Sequence, residues 1–181
     1  MRRVALLTWL AALAVPLAFE ALHSPGGPQK LPRMTADTYK VFASFPYAVG
    51  ISVAPNTTKL SCLSAKQLEI DSKERTTTYL WNFPSLGLEI PFKVKAAEKP
   101  GTMTFTVGQD LKQREGILYY TDYKDCAIAD LEYDGHVCIL WARREVKDSV
   151  PQRCIDYYED TCGVTVEQHS RDLCWDGEGD H

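Results

Sequence analysis

The chain has 181 residues, 45% hydrophobic and 24% charged, with a formal net charge of −4 and six cysteines. This is single-domain length, and the hydrophobic content of a folded protein rather than a disordered one. The mild acidity excludes the basic face of a nucleic-acid binder and any polybasic attraction to anionic lipid.

Arg2 and Arg3 precede an apolar run from Val4 to Ala18. A short positive start followed by ~7–15 apolar residues has the form of a secretory signal, and it is shorter than the ~20 residues a bilayer span requires. The sequence therefore predicts a signal peptide over 1–21, cleaved between Ala18 and Ala21. Cutting after Ala18 leaves 18 basic against 24 acidic residues, a balance of −6. A Pro- and Gly-rich stretch, 22–34, reads as a flexible linker. Thr35 is then expected to cap a short helix running to about Ala43, with Tyr39 and Phe42 on one side.

From Tyr47 the hydrophobic rhythm falls to a period of two, broken by turn residues about every ten positions. Strands are predicted near 47–53, 60–71, 76–83, 88–95, 102–107, 116–122, 126–133 and 136–143. In the third, Thr77, Tyr79, Trp81 and Phe83 share a face. Pro91 inside the fourth suggests an edge or a bulge, and Asp134-Gly135 marks a hairpin between the last two. Short strands at regular spacing with no helices between them indicate an all-β sandwich or barrel. One C-terminal α-helix follows, with Ser149 as candidate cap, Pro151 in its first turn and Gly163 as terminator. The domain is expected over 35–175, with an acidic tail at 176–181.

Successive cysteines are separated by 64, 12, 16, 8 and 12 residues, and the four histidines are scattered, so no zinc pattern exists. In an oxidising compartment the six thiols pair as disulfides, in one of fifteen possible ways. Cys154 and Cys162 lie about two helical turns apart and face the same way. Asn56-Thr57-Thr58 is a glycosylation sequon. No Gly-x-Ser-x-Gly, His-Glu-x-x-His or phosphate loop is present, and oxidised cysteines leave no thiolate nucleophile, so no enzyme and no cofactor are expected.

The block Leu118–Cys126, then Cys138-Ile-Leu-Trp141, then Pro151-Gln-Arg-Cys154 through Asp160-Thr-Cys162-Gly163, resembles the tick salivary lipocalins, in particular their histamine-binding-protein branch. The Gly-x-Trp signature of typical lipocalins is missing. The resemblance implies a disulfide-stapled, eight-stranded antiparallel barrel with a central cavity and the C-terminal helix packed outside. It also implies the pairs Cys62–Cys174, Cys126–Cys154 and Cys138–Cys162. Functionally it implies a secreted monomer that sequesters a small host mediator, an amine or a lipid, to evade host defence.

In the amine-binding members an acid follows the cysteine of the seventh strand, and a second precedes the hydrophobe-Trp pair of the eighth. Here those positions are Ala127 and Ile139. A buried ammonium needs a counter-charge, so their loss shifts the expected ligand toward an apolar lipid mediator such as a leukotriene. By alternation Ala127 and Ile139 should face the cavity with Trp141, while Cys126 and Cys138 face outward. Glu89 is the remaining candidate acid for an amine, the competing reading being an outward, solvated side chain. Tyr79, Trp81, Phe92 and Tyr119 are candidate cavity walls, although such aromatic stripes more often serve as core. The alternative function is a protein-binding inhibitor of complement, clotting or a chemokine that uses the barrel as a scaffold. A cavity of ~300–1,000 Å³ would favour the carrier, and a filled barrel the scaffold.

Overall fold

The computed structural model describes residues 30–32, 34–166 and Cys174. The expected signal segment and acidic tail lie outside these residues. Eight antiparallel strands close into a barrel in sequence order: β1 (Tyr47–Ala54), β2 (Ser64–Asp71), β3 (Thr76–Phe83), β4 (Leu88–Ala96), β5 (Thr102–Val107), β6 (Asp110–Thr121), β7 (Cys126–Glu132) and β8 (His136–Arg143), with β8 returning to β1. A short helix α1 (Thr38–Ser44) precedes the barrel and α2 (Gln152–Cys162) follows it. Closure decides between barrel and sandwich, which alternation alone left open, and it removes every sheet edge.

Several boundaries differ from the sequence reading for identifiable reasons. The cap of α1 is Asp37, whose carboxylate accepts from the backbone N–H groups of Tyr39 and Lys40, so the helix starts after Thr35. A 3-10 turn at Thr58–Leu60 delays β2 to Ser64. The β5–β6 hairpin is tight, with Val107 opposite Asp110, so β6 begins six residues earlier than expected. α2 has Pro151 at its N-cap and no side-chain cap, while Ser149 sits in the preceding turn, donating its N–H to Val146 O. Gly163 ends α2 in the left-handed conformation (φ 71°).

Pro91 sits on neither an edge nor a bulge. It pairs with Leu80 of β3, and its carbonyl accepts from Gly108 N on the β5 side, beyond the end of the β4–β5 ladder at Phe92–Val107. The missing N–H of proline therefore falls where no ladder bond is required. The Asp134-Gly135 turn, with φ of 50° and 103°, joins β7 and β8 in paired register.

Two apolar clusters divide at the wall of the barrel. Alternate residues of β3 (Thr77, Tyr79, Trp81, Phe83) and β4 (Phe92, Val94, Ala96) are buried inside. On the outer face of β7 and β8, Ile128, Leu140 and Ala142 are buried against α2 through Tyr158. Disulfides Cys126–Cys154 and Cys138–Cys162 fasten this helix to β7 and β8, and Cys62–Cys174 joins the start of the β2 arm to the C-terminal segment. Burial pushes the Tyr158 hydroxyl up to about 12, with a hydrogen bond to Ser52 opposing the shift. The described end of the linker is tied down: Lys30 N and Leu31 N donate to the Asp160 carboxylate of α2 at 2.7 and 3.1 Å.

Candidate functional site

One end of the barrel is closed by α1. Its Val41 and Phe42, with Phe45 just beyond, form the floor of an internal cavity. The floor is anchored from the walls, because the Tyr79 hydroxyl donates to Phe45 O at 3.0 Å and Gln67 Nε2 donates to Phe42 O at 3.0 Å. Burial drives the Tyr79 hydroxyl pKa well above its ordinary value, so it remains a neutral donor.

The cavity measures about 90 Å³. On one wall Trp81 stacks on Phe92 at 4.0 Å between ring centroids and meets Trp141 edge-on at 5.0 Å. The facing wall is narrower in side chain, formed by Ala127, Ala129 and Leu131 of β7 with Leu118 of β6. Met103 and Phe105 of β5 complete it beside Val94. The end opposite α1 is filled by rings: Tyr133 lies 6.2 Å from Phe83 and 5.4 Å from Phe92. No carboxylate, cation or imidazole lines the cavity among the described residues; the lining side chains with polar atoms are Tyr79, whose hydroxyl is already bonded, and the indoles of Trp81 and Trp141.

Of the expected walls, Tyr79, Trp81, Phe92, Ala127 and Trp141 line the cavity. Ile139 belongs to the same interior cluster, fully buried between Ala129 and Val53, without bordering the open space. Two expectations are corrected. Glu89 is exposed on the outer face of β4, in phase with Pro91, Lys93 and Lys95, because Ile90 and Phe92 set the inward phase of that strand. Tyr119 lies outside, as alternation from the inward Leu118 requires, and packs beside the outer cluster; the β6–β7 register then slips between Leu118 and Tyr120. That bulge leaves Leu118 inside and sends Tyr120 out to stack on Tyr157 of α2 at 3.8 Å. The cavity residues that the sequence reading missed are mainly in α1, β5 and the inward phase beyond Phe92. Extending the alternation from Phe92 to Val94, and from Phe105 back to Met103, would have found three of them.

Asp122, Cys126 and Cys154 come close together, but both cysteines are in one disulfide and offer no thiolate. The Asp122 carboxylate accepts from three backbone N–H groups and from Arg153, which together hold its pKa below the usual range despite burial. This cluster ties the β6–β7 turn to α2. A wider groove, about 680 Å³, runs along the β2–β3 hairpin, where acids such as Glu69 and Glu74 alternate with Lys93 and Lys95 in solvent.

A closed eight-stranded barrel with an internal apolar cavity and an external C-terminal helix defines a lipocalin-type fold. The family profile described as tick histamine binding protein matches residues 53–175, and the chain belongs to that family. No curated protein matches the sequence significantly. Among solved structures, the chain is similar to AM182, determined as a serotonin complex, at 18% identity over 79% of this chain and 90% of that one, with a TM-score of 0.52. A biogenic amine-binding protein, solved as its selenomethionine derivative, is 13% identical over 74% of this chain and 82% of its own, with a TM-score of 0.45. The amine binding protein of Rhodnius prolixus, solved with tryptamine, is 11% identical over 79% and 84%, with a TM-score of 0.48. At 18% identity the likeness to AM182 concerns the fold alone.

Proposed function

We propose that this chain is a secreted, non-catalytic carrier that takes up a small mediator molecule in its barrel and lowers the free mediator concentration by stoichiometric binding. Membership in the histamine-binding family supports a ligand-binding role and a small biogenic amine as the starting class of ligand. The chemistry of the lumen narrows the choice. An ammonium group moved into a dry site needs a carboxylate beside it. Ala127 stands where the resemblance puts one acid, Ile139 where it puts the other, and Glu89 points to solvent. Aromatic rings and aliphatic walls instead favour an uncharged ring or acyl chain, so we assign an apolar lipid mediator such as a leukotriene in preference to histamine. The observation that carries this reading is a cavity lining that is almost entirely apolar and, among the described residues, holds no charged side chain.

Titration calorimetry with histamine, serotonin and a leukotriene tests it. Leukotriene binding with no histamine heat is expected. Submicromolar histamine binding would overturn the lipid preference and leave the carrier standing. Secretion is supported by the Arg2-Arg3 and apolar N-terminal pattern, and glycosylation by the exposure of Asn56 between β1 and β2.

A second reading is favoured by one observation, the cavity volume. About 90 Å³ falls well below the ~300–1,000 Å³ of typical ligand pockets. A barrel filled in this way suits a scaffold that captures a complement, clotting or chemokine protein through one end, where Leu86 of the β3–β4 turn and Leu111 at the start of β6 are exposed. A pull-down from host plasma that recovers a stoichiometric partner, lost on Leu111→Ser, would establish this role.

A further inference from the structure

The barrel mouth opposite α1 carries a cation on the interior side of the wall. Arg114 of β6 stands opposite Phe105 of β5, which is 2% exposed and borders the cavity. The next inward residues of β6 are Gly116, packed on Met103 and Leu131, and Leu118 in the cavity wall. Arg114 shares their phase, and its side chain is only 18% exposed.

The guanidinium has five N–H donors in a planar fork suited to a carboxylate. Among the described residues it donates to Asp110 Oδ2 at 2.7 Å and to Lys112 O at 3.2 Å. Asp110 is four residues away on the same strand and half exposed (50%), so its hold is that of a surface pair, weak and exchangeable with an incoming acid. At the same mouth the ring of Tyr133 rests on Phe83 and Phe92, and Phe92 in turn borders the cavity. Burial and the Asp134 carboxylate raise the Tyr133 hydroxyl pKa, while the positive charges of Arg114 and Lys59 oppose the rise; Lys59 is paired with Asp134 at 3.3 Å, which leaves Arg114 as the cation on the interior side of this mouth. Around it, Leu88 (49% exposed) and the partly buried Ile90 and Val107 give an apolar rim. Arg143, at the α1 end, is 36% exposed, pairs with Glu145 at 3.3 Å and does not line the cavity.

We propose that Arg114 anchors a carboxylate subsite at the barrel mouth, which holds the acid group of an anionic amphiphile whose apolar chain passes Tyr133 into the lumen. The subsite rests on the apolar-ligand reading given above and adds the head-group chemistry that the lumen itself does not supply. Asp110 occupies the fork in the free protein and is displaced by the ligand carboxylate, the charge-assisted pair being re-formed with a new partner.

The test uses dodecanoic acid and its methyl ester as probes, titrated by intrinsic tryptophan fluorescence. The wild type is expected to bind the acid more tightly than the ester. Arg114→Gln should weaken the acid by about tenfold, the scale of one charge-assisted hydrogen bond, and leave the ester unchanged. Asp110→Asn, which removes the internal competitor, should strengthen acid binding and leave the ester unchanged. If Arg114→Gln retains the acid-over-ester preference while both probes bind, the subsite is wrong and the apolar lumen stands. If neither probe binds the wild type, the apolar-ligand reading fails and the subsite fails with it. Should a thermal melt show Arg114→Gln unfolded, the Asp110→Asn arm decides, and unchanged acid affinity there overturns the proposal.

Discussion

Placing the missing carboxylate back in the wall tests whether the lumen is as dry as its lining suggests. Ala127 is 4% exposed, opposite Trp141 on β8 and Thr121 on β6, and no cation borders the cavity among the described residues. In Ala127→Asp the new side chain has two options at pH 7: to remain ionised and bear the desolvation cost, or to take up a proton. Protonating a group of reference pKa ~3.9 at pH 7 costs about 4 kcal/mol, at about 1.4 kcal/mol per pH unit, and this limits the charge part of the penalty. The folded-state pKa is raised, so the folded state holds more protons than the unfolded state above pH ~4. Stability of the variant therefore falls relative to wild type as pH rises from about 4, and the gap levels off once pH passes the raised pKa. Urea unfolding of both proteins at pH 4, 5.5 and 7 measures the gap directly. Histamine, whose ammonium would pair with the new acid, should recover part of the loss at pH 7. A penalty that stays flat across this range would mean that the carboxylate reaches water or a cation, and the dry-lumen argument would be refuted.

Three further outcomes follow from the packing. Trp81→Ala removes the ring that stacks on Phe92 and meets Trp141, and should cost ~3–5 kcal/mol in chemical denaturation while enlarging the cavity. Gly116→Ala would put a Cβ 2.7 Å from Leu131 Cδ2 and 2.9 Å from Met103 Cγ, so a loss of ~1–3 kcal/mol is expected in the same assay, with no change in register by hydrogen exchange. Tyr158, whose pKa is raised to about 12, should ionise in an ultraviolet absorbance titration above the range of an ordinary phenol, a late step that Tyr158→Phe removes. Because the unfolded phenol titrates near ~10, folding stability should fall as pH rises from 10 through 12, and Tyr158→Phe should flatten that fall.

Much of the barrel is legible from alternation. Thr77, Tyr79, Trp81 and Phe83 all turn inward as their two-residue spacing requires, and Cys126 and Cys138 set the opposite phase on β7 and β8. What is not legible depends on events that alternation does not record. The slip at Tyr119 is invisible because Leu118-Tyr119-Tyr120 offers a bulky residue at every position. The choice of Asp37 over Thr35 as cap reflects where the floor helix must meet Tyr79 and Gln67. Arg114 is hidden from alternation because the turn residues around Gly108 push the predicted start of β6 to 116, whereas the strand begins at Asp110. Cavity size lies furthest from the sequence, since it depends on how six rings from four strands and the β7–β8 turn share one interior.

The two disulfides of α2 reach β7 and β8 from the outside, at residues adjacent to the inward Ala127 and one position before Ile139. The strands that would carry the amine-recognising acids are thereby clamped by covalent bonds that never touch the ligand space. In most cavities a wall residue serves both packing and recognition, so altering specificity endangers the fold. Here part of the packing of β7 and β8 falls on their outer faces, through Cys126, Ile128, Cys138 and Leu140, apart from the inward Ala127 and Ile139. A clamp of this kind holds β7 and β8 in place from outside the lumen, so a substitution such as Ala127→Asp is met by a strand pair whose position does not depend on the inner face alone.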